Sequence, residues 1–96
     1  MIKRDEILEF LKSEKETVAL RFSVRKIGLF GSYVRGDAQS ESDIDLLVEF
    51  SEPTFDHYMD LKFYIEDRLG VTVDLVIADA LKPRLRPYIE REVVYA

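Results

Sequence analysis

Apolar positions along the chain follow two periods in turn. Residues 3–20 place Ile7, Leu8, Phe10 and Leu11 near one face, with Lys, Arg, Asp and Glu on the other, which predicts an amphipathic helix. Asp5 and Glu6 fall in or near its first turn, where the helix macrodipole favours negative charge. Ser13-Glu14-Lys15-Glu16 reads as a break or as an exposed turn of helix, and residues 17–21 as helix or following loop. A first strand is predicted at 25–30 (RKIGLF), with Gly28 inside it, where a strand glycine marks a bulge or the close approach of another backbone. Gly31 then permits a sharp turn. Ser32 suits the N-cap of a short helix over 33–35, Gly36 fits its end, and 37–42 is a polar loop.

Strict alternation returns at 43–50, the second predicted strand. Ile44, Leu46 and Val48 make one face apolar, and Asp43, Asp45 and Leu47 form the other. After the turn at Ser51-Glu52-Pro53-Thr54, a helix opens at Phe55 or Asp56 and runs to Leu69, with Tyr58, Leu61, Ile65 and Leu69 at helical spacing and Gly70 as its stop. A third strand covers 71–77, with Thr72, Asp74 and Val76 sharing one face. Asp79 can cap a last helix of about 80–91, which Pro83 and Pro87 make irregular or delay. Val93-Val94-Tyr95 is a fourth short strand or a docked tail. The order α-β-α-β-α-β-α predicts an α/β or α+β domain with a central sheet of three to four strands flanked by helices.

Composition narrows what such a domain does. Its 96 residues make one domain, 1–96. There is no cysteine and a single histidine, His57, which excludes disulfides, thiolate metal sites and multi-histidine clusters. No apolar run approaches a membrane span and the N-terminus lacks a signal-peptide core, so a cytoplasmic location and no membrane contact are expected. The net charge of −5 disfavours direct binding to nucleic-acid backbone.

Chemistry concentrates between Gly31 and Asp45, GSYVRGDAQSESDID. On a strand, Asp43 and Asp45 project side by side, roughly 6–7 Å apart, and two such carboxylates repel unless cations lie between them. Asp74 is the odd residue of an apolar strand, and burying it unpaired would cost several kcal/mol. If the third strand lies beside the second, Asp43, Asp45 and Asp74 meet on one face and surround two metal positions about 3.5–4 Å apart. Gly31 lets backbone approach a phosphate, and Ser32 with the amides at the start of the short helix offers donors to it. The parts suit phosphoryl or nucleotidyl transfer.

With Gly-Ser, ten residues, then Asp-x-Asp, this stretch resembles the signature of the polymerase-beta-like nucleotidyltransferases. The chain, length included, resembles their minimal prokaryotic members, the MntA-like antitoxins that accompany HEPN-domain toxins. The resemblance implies a mixed-sheet nucleotidyltransferase fold, two Mg²⁺ ions and ATP as co-substrate. It implies transfer of AMP to a tyrosine of the partner HEPN toxin, an RNase, which silences it. Gly31 and Ser32 then take the phosphate role and Asp43 and Asp45 hold metal, with Asp74 as the third carboxylate. Larger family members carry an acceptor domain that this chain lacks, which implies a folded protein as second substrate.

Two other functions compete with this one: an antitoxin that acts by occlusion alone, and nucleotidyl transfer to a small molecule such as an aminoglycoside. Arg35 either reaches a phosphate or the aspartates, or forms a salt bridge that pins the turn. Lys82, Arg84, Arg86 and Arg91 read as a solvated helix face, and His57 as a surface or partly packed residue. Phe55, Tyr58, Phe63 and Tyr64 read as core or subunit-contact residues, which leaves a homo-oligomer open.

Overall fold

The computed structural model describes residues 2–96. The N-terminal helical stretch is two helices, α1 (Arg4–Ser13) and α2 (Lys15–Phe22), separated at Glu14, where φ −98° and ψ 1° leave the helical range. The polar run at 13–16 is therefore a break, and residues 17–21 belong to α2. Breaking there lets each helix turn its own apolar pair inward: Ile7 and Leu11 from α1, Val18 and Phe22 from α2.

The chain continues through β1 (Val24–Phe30), α3 (Ser32–Arg35), β2 (Ile44–Phe50), α4 (Phe55–Leu69) and β3 (Val73–Ile77). A 3₁₀ turn (Ala78–Ala80), α5 (Arg86–Glu92) and β4 (Val94–Tyr95) complete it. The sheet order is β3-β2-β1-β4. Strand β1 pairs antiparallel with both β2 and β4, while β2 and β3 are parallel, joined by the α4 crossover that parallel neighbours require. The expected small mixed sheet is thus present, and the tail at 93–95 is a strand.

Several boundaries differ from the sequence reading. Asp43 lies just before β2, and β3 begins at Val73. The register slips between Val24 and Lys26, so the irregularity of β1 is not at Gly28. Gly28 marks a close approach instead: a β-carbon there would stand 2.6 Å from Val93 Cγ2 and 2.9 Å from Tyr95 Cδ1. Helix α5 starts only at Arg86, with Pro87 in its first turn, where no amide is needed. Asp79 lies inside the 3₁₀ turn and does not cap α5, because the helix begins well beyond it.

One face of the sheet packs on the helices. Ile27 and Leu29 of β1, Ile44, Leu46 and Val48 of β2, and Val73 and Leu75 of β3 join Leu61 and Ile65 of α4 in a single core. Alternation sends Asp45 and Leu47 of β2 to the opposite face. Tyr58 and Tyr64 pack at the core margin, but Phe55 and Phe63 are 76% and 56% exposed, contrary to a core assignment. With Leu61 and Ile65 facing inward, Phe63 midway between them points outward, and Phe55 only begins the helix. No helix among the described residues is long and apolar enough to cross a membrane.

Candidate active site

The parallel ladder brings the two strand carboxylates together, because Asp45 and Asp74 are register partners. Register partners on neighbouring strands share a face, about 4.8 Å apart across the sheet. Asp43 lies two residues before Asp45, at the mouth of β2, and is exposed. Among the described residues no three metal-binding side chains close around one point. The aspartates form an open acidic row.

The anchoring of β3 fixes Asp74 in this row. Val73 donates its amide to Glu66 Oε2 at 2.8 Å, and its carbonyl accepts from Lys62 Nζ, which also pairs with Glu66 at 2.9 Å. Tyr58 donates its hydroxyl to the Leu75 carbonyl at 2.8 Å. Side chains of α4 therefore hold the backbone on both sides of Asp74. Accepting the Val73 amide, and then pairing with Lys62, keeps the Glu66 carboxyl below its ordinary pKa. In the sequence, Lys62 and Glu66 look like an ordinary i,i+4 surface pair.

The turn between β1 and α3 reaches the row from the other side. Gly31 has φ 82° and ψ −152°, a conformation that strains any residue with a side chain. A β-carbon there would overlap an oxygen of the Asp45 carboxylate and stand 2.9 Å from its Cγ. Asp45 thus lies directly against the Gly31 backbone. The Gly31 carbonyl accepts the amides of Val34 and Arg35, both at 3.0 Å, so α3 starts one residue earlier than expected. Ser32 is consequently the first residue of α3, and its side chain does not cap it. The amides of Ser32 and Tyr33 precede the first helical hydrogen bond.

Burial pushes the Asp45 carboxyl up to about 6, with the charges of Asp74 and Asp43 adding to the rise, Arg35 opposing it and Glu92 adding again. At Asp45, then, Arg35 does not offset burial and the neighbouring negative charges. The row's donors are all carboxylate oxygens, a set that suits hard divalent ions such as Mg²⁺.

Arg35 forms salt bridges at the turn and also lies near enough to Asp45 to oppose the rise of its pKa. It pairs with Asp37 at 3.4 Å and with Glu92 at 3.1 Å. The same Glu92 oxygen accepts the Gly31 amide at 2.5 Å. Sequence reasoning missed Glu92, which stands far along the chain in a helix that reads as merely basic. Arg86 pairs with Glu90 and Arg91 lies over the Tyr88 ring on α5, while Lys82 and Arg84 are exposed but precede the helix, so the four do not form one helix face as expected. His57 is half-buried at the start of α4, its ring nitrogen 2.7 Å from the Glu52 carbonyl.

Residues 4–96 match the family model of the nucleotidyltransferase domain. The chain is 45% identical over 96 residues to the protein adenylyltransferase MntA of Thermococcus cleftensis, covering 99% of this chain and 97% of that protein. It superposes with a TM-score of 0.74 on a solved structure provisionally described as a minimal nucleotidyltransferase, at 41% identity, covering 91% of this chain and 93% of that one. A further structure is a complex of a tri-AMPylated Shewanella oneidensis HEPN toxin with an MNT antitoxin. Its TM-score is 0.64 at 19% identity, over 92% of this chain and 70% of that one, a likeness of fold alone.

Proposed function

This chain belongs to the nucleotidyltransferase domain family and is a nucleotidyltransferase, and on that footing we propose that it is an antitoxin that transfers AMP from ATP to a tyrosine of a HEPN-type toxin. The observation that carries the reading is the Asp45–Asp74 register pair, of which Asp45 lies against the Gly31 turn. The relatives' names, which speak of protein adenylylation and of an AMPylated toxin, support the choice of nucleotide and acceptor.

In this reading, Gly31 keeps the turn free of side chain, and Ser32 offers its amide and hydroxyl to the triphosphate. Asp43, Asp45 and Asp74 hold Mg²⁺, which when bound neutralises the triphosphate and stabilises the departing pyrophosphate. The tyrosine oxygen attacks the α-phosphorus of ATP, and the bond to the β-phosphate oxygen breaks. Asp74, the carboxylate most distant in sequence from the turn, accepts the phenolic proton and releases it to solvent. The products are an AMP–tyrosine ester and pyrophosphate. Exposure of Asp43 and Asp74 leaves the row open to a folded acceptor.

Incubation with α-labelled ATP, Mg²⁺ and the cognate toxin tests the proposal. Label should appear on a toxin tyrosine and vanish with the folded variant Asp43→Ala. Toxin neutralised equally well by Asp43→Ala and Asp45→Ala, with no label, would make occlusion the mechanism.

A further inference from the structure

We propose that Glu92 is the positioning residue of the nucleotide-binding turn, holding Gly31 and Arg35 on one carboxylate oxygen so that Ser32 faces the triphosphate. The proposal deepens the reading above and rests on it. Glu92 Oε1 accepts from the Gly31 amide at 2.5 Å and from Arg35 Nη1 at 3.1 Å. Those two donors bracket α3, so one oxygen ties the residue before the short helix to its last residue. A helix of four residues has too few internal bonds to hold its own direction. On its other side, Gly31 is in contact with the Asp45 carboxylate. The turn is therefore gripped between two carboxylates, one in the acidic row and one outside it.

Glu92 itself is firmly placed. It is the last residue of α5, and β4 follows after a single residue. Strand β4 pairs Val94 with Leu29 and Tyr95 with Gly28, and the Ala96 amide donates to the Ile27 carbonyl at 3.0 Å. Val93 and Tyr95 lie against the bare Cα of Gly28. The C-terminal segment is thus docked on the same strand that leads into Gly31. Glu92 is only 24% exposed and adds negative charge beside an acidic row, an arrangement with an electrostatic cost. The charge-assisted bonds to Gly31 and Arg35 offset it.

The test uses the full chain and a non-hydrolysable ATP analogue with Mg²⁺, far below the melting temperature of each variant. Glu92→Ala should weaken analogue binding, and raise the KM for ATP, by about tenfold or more, with a smaller change in kcat. Glu92→Gln keeps a carbonyl oxygen for the Gly31 amide and should stay within about threefold. Glu92→Asp, which is shorter, should behave like Glu92→Ala. In amide NMR spectra the Gly31 resonance should lie downfield in the wild type and move upfield in Glu92→Ala. Unchanged or tighter binding in both Glu92→Ala and Glu92→Asp would overturn the proposal, the tighter case marking Glu92 as a competitor of phosphate. A Gly31 resonance indifferent to Glu92 would also overturn it. A wild-type protein that binds no analogue, yet shows the Glu92-dependent Gly31 shift, would locate the failure in the nucleotidyl-transfer reading.

Discussion

Asp45 and Gly31 are in van der Waals contact, so the most buried carboxylate of the acidic row rests on the one backbone position beside it that has no side chain. Gly31→Ala should therefore fail twice. The φ of 82° strains any Cβ-bearing residue by about 1–3 kcal/mol, and the new methyl displaces Asp45. Gly36→Ala is the control: its φ is 86°, but a β-carbon there would meet nothing within 4 Å. Thermal melts should show both variants destabilised, with Gly31→Ala the worse. Transfer activity should be lost only in Gly31→Ala.

The raised Asp45 carboxyl makes metal-free stability depend on pH. With a folded pKa of about 6 against an ordinary 3.8, the folded protein binds this proton more tightly than the unfolded chain. The stability gained from protonation is fully present below the ordinary value and is lost as pH rises through about 6. Asp45 is partly solvated, so the effect is on the order of 1 kcal/mol once screening is allowed for. At pH 7–8 without divalent ions, Asp45→Asn should melt about 4–8 °C above the wild type. Added Mg²⁺ should stabilise the wild type and not the variant. Melting curves across pH, with and without Mg²⁺, check both signs.

Glu66 anchors the strand that carries Asp74. Glu66→Ala leaves the Val73 amide at the sheet edge without its acceptor and Lys62 without its partner. A loss of about 1–3 kcal/mol is expected, together with reduced transfer as Asp74 loosens. Because the Glu66 carboxyl is held below its ordinary value, its contribution is present at neutral pH and lost as pH falls through the lowered value. The stability difference between wild type and Glu66→Gln should accordingly shrink in acid. Denaturant unfolding at neutral and acidic pH measures it.

The features legible in the sequence were those carried by short periods. The period of two sends Asp45 to the face opposite Ile44, Leu46 and Val48, although Asp43, read as part of the same strand, lies just before it. Gly28 read as a bulge or a close approach, and of the two the close approach, made by β4, is the one present. Pairing Asp74 with Asp45 needed only the assumption that β3 lies beside β2. Contacts fixed by the tertiary fold were not legible. Glu92 meets Gly31 across most of the chain, and the carboxylate of Glu66 turns from its helix to the edge of β3. Nor did local preference settle Ser32, whose aptitude for capping lost to a helix that starts at the Gly31 carbonyl. Phe55 and Phe63 read as core or subunit-contact residues, and the core half of that reading fails because the inward face of α4 is filled by Leu61 and Ile65.

Binding of a paramagnetic divalent ion tests the acidic row most directly. Mn²⁺ titrated into the folded protein with a non-hydrolysable ATP analogue, followed by electron paramagnetic resonance, should show specific binding in the wild type. Asp43→Asn, Asp45→Asn and Asp74→Asn should each weaken it by more than the about 10–100-fold that loss of an outer-shell partner costs. Equal Mn²⁺ affinity in the wild type and all three folded variants would contradict the account.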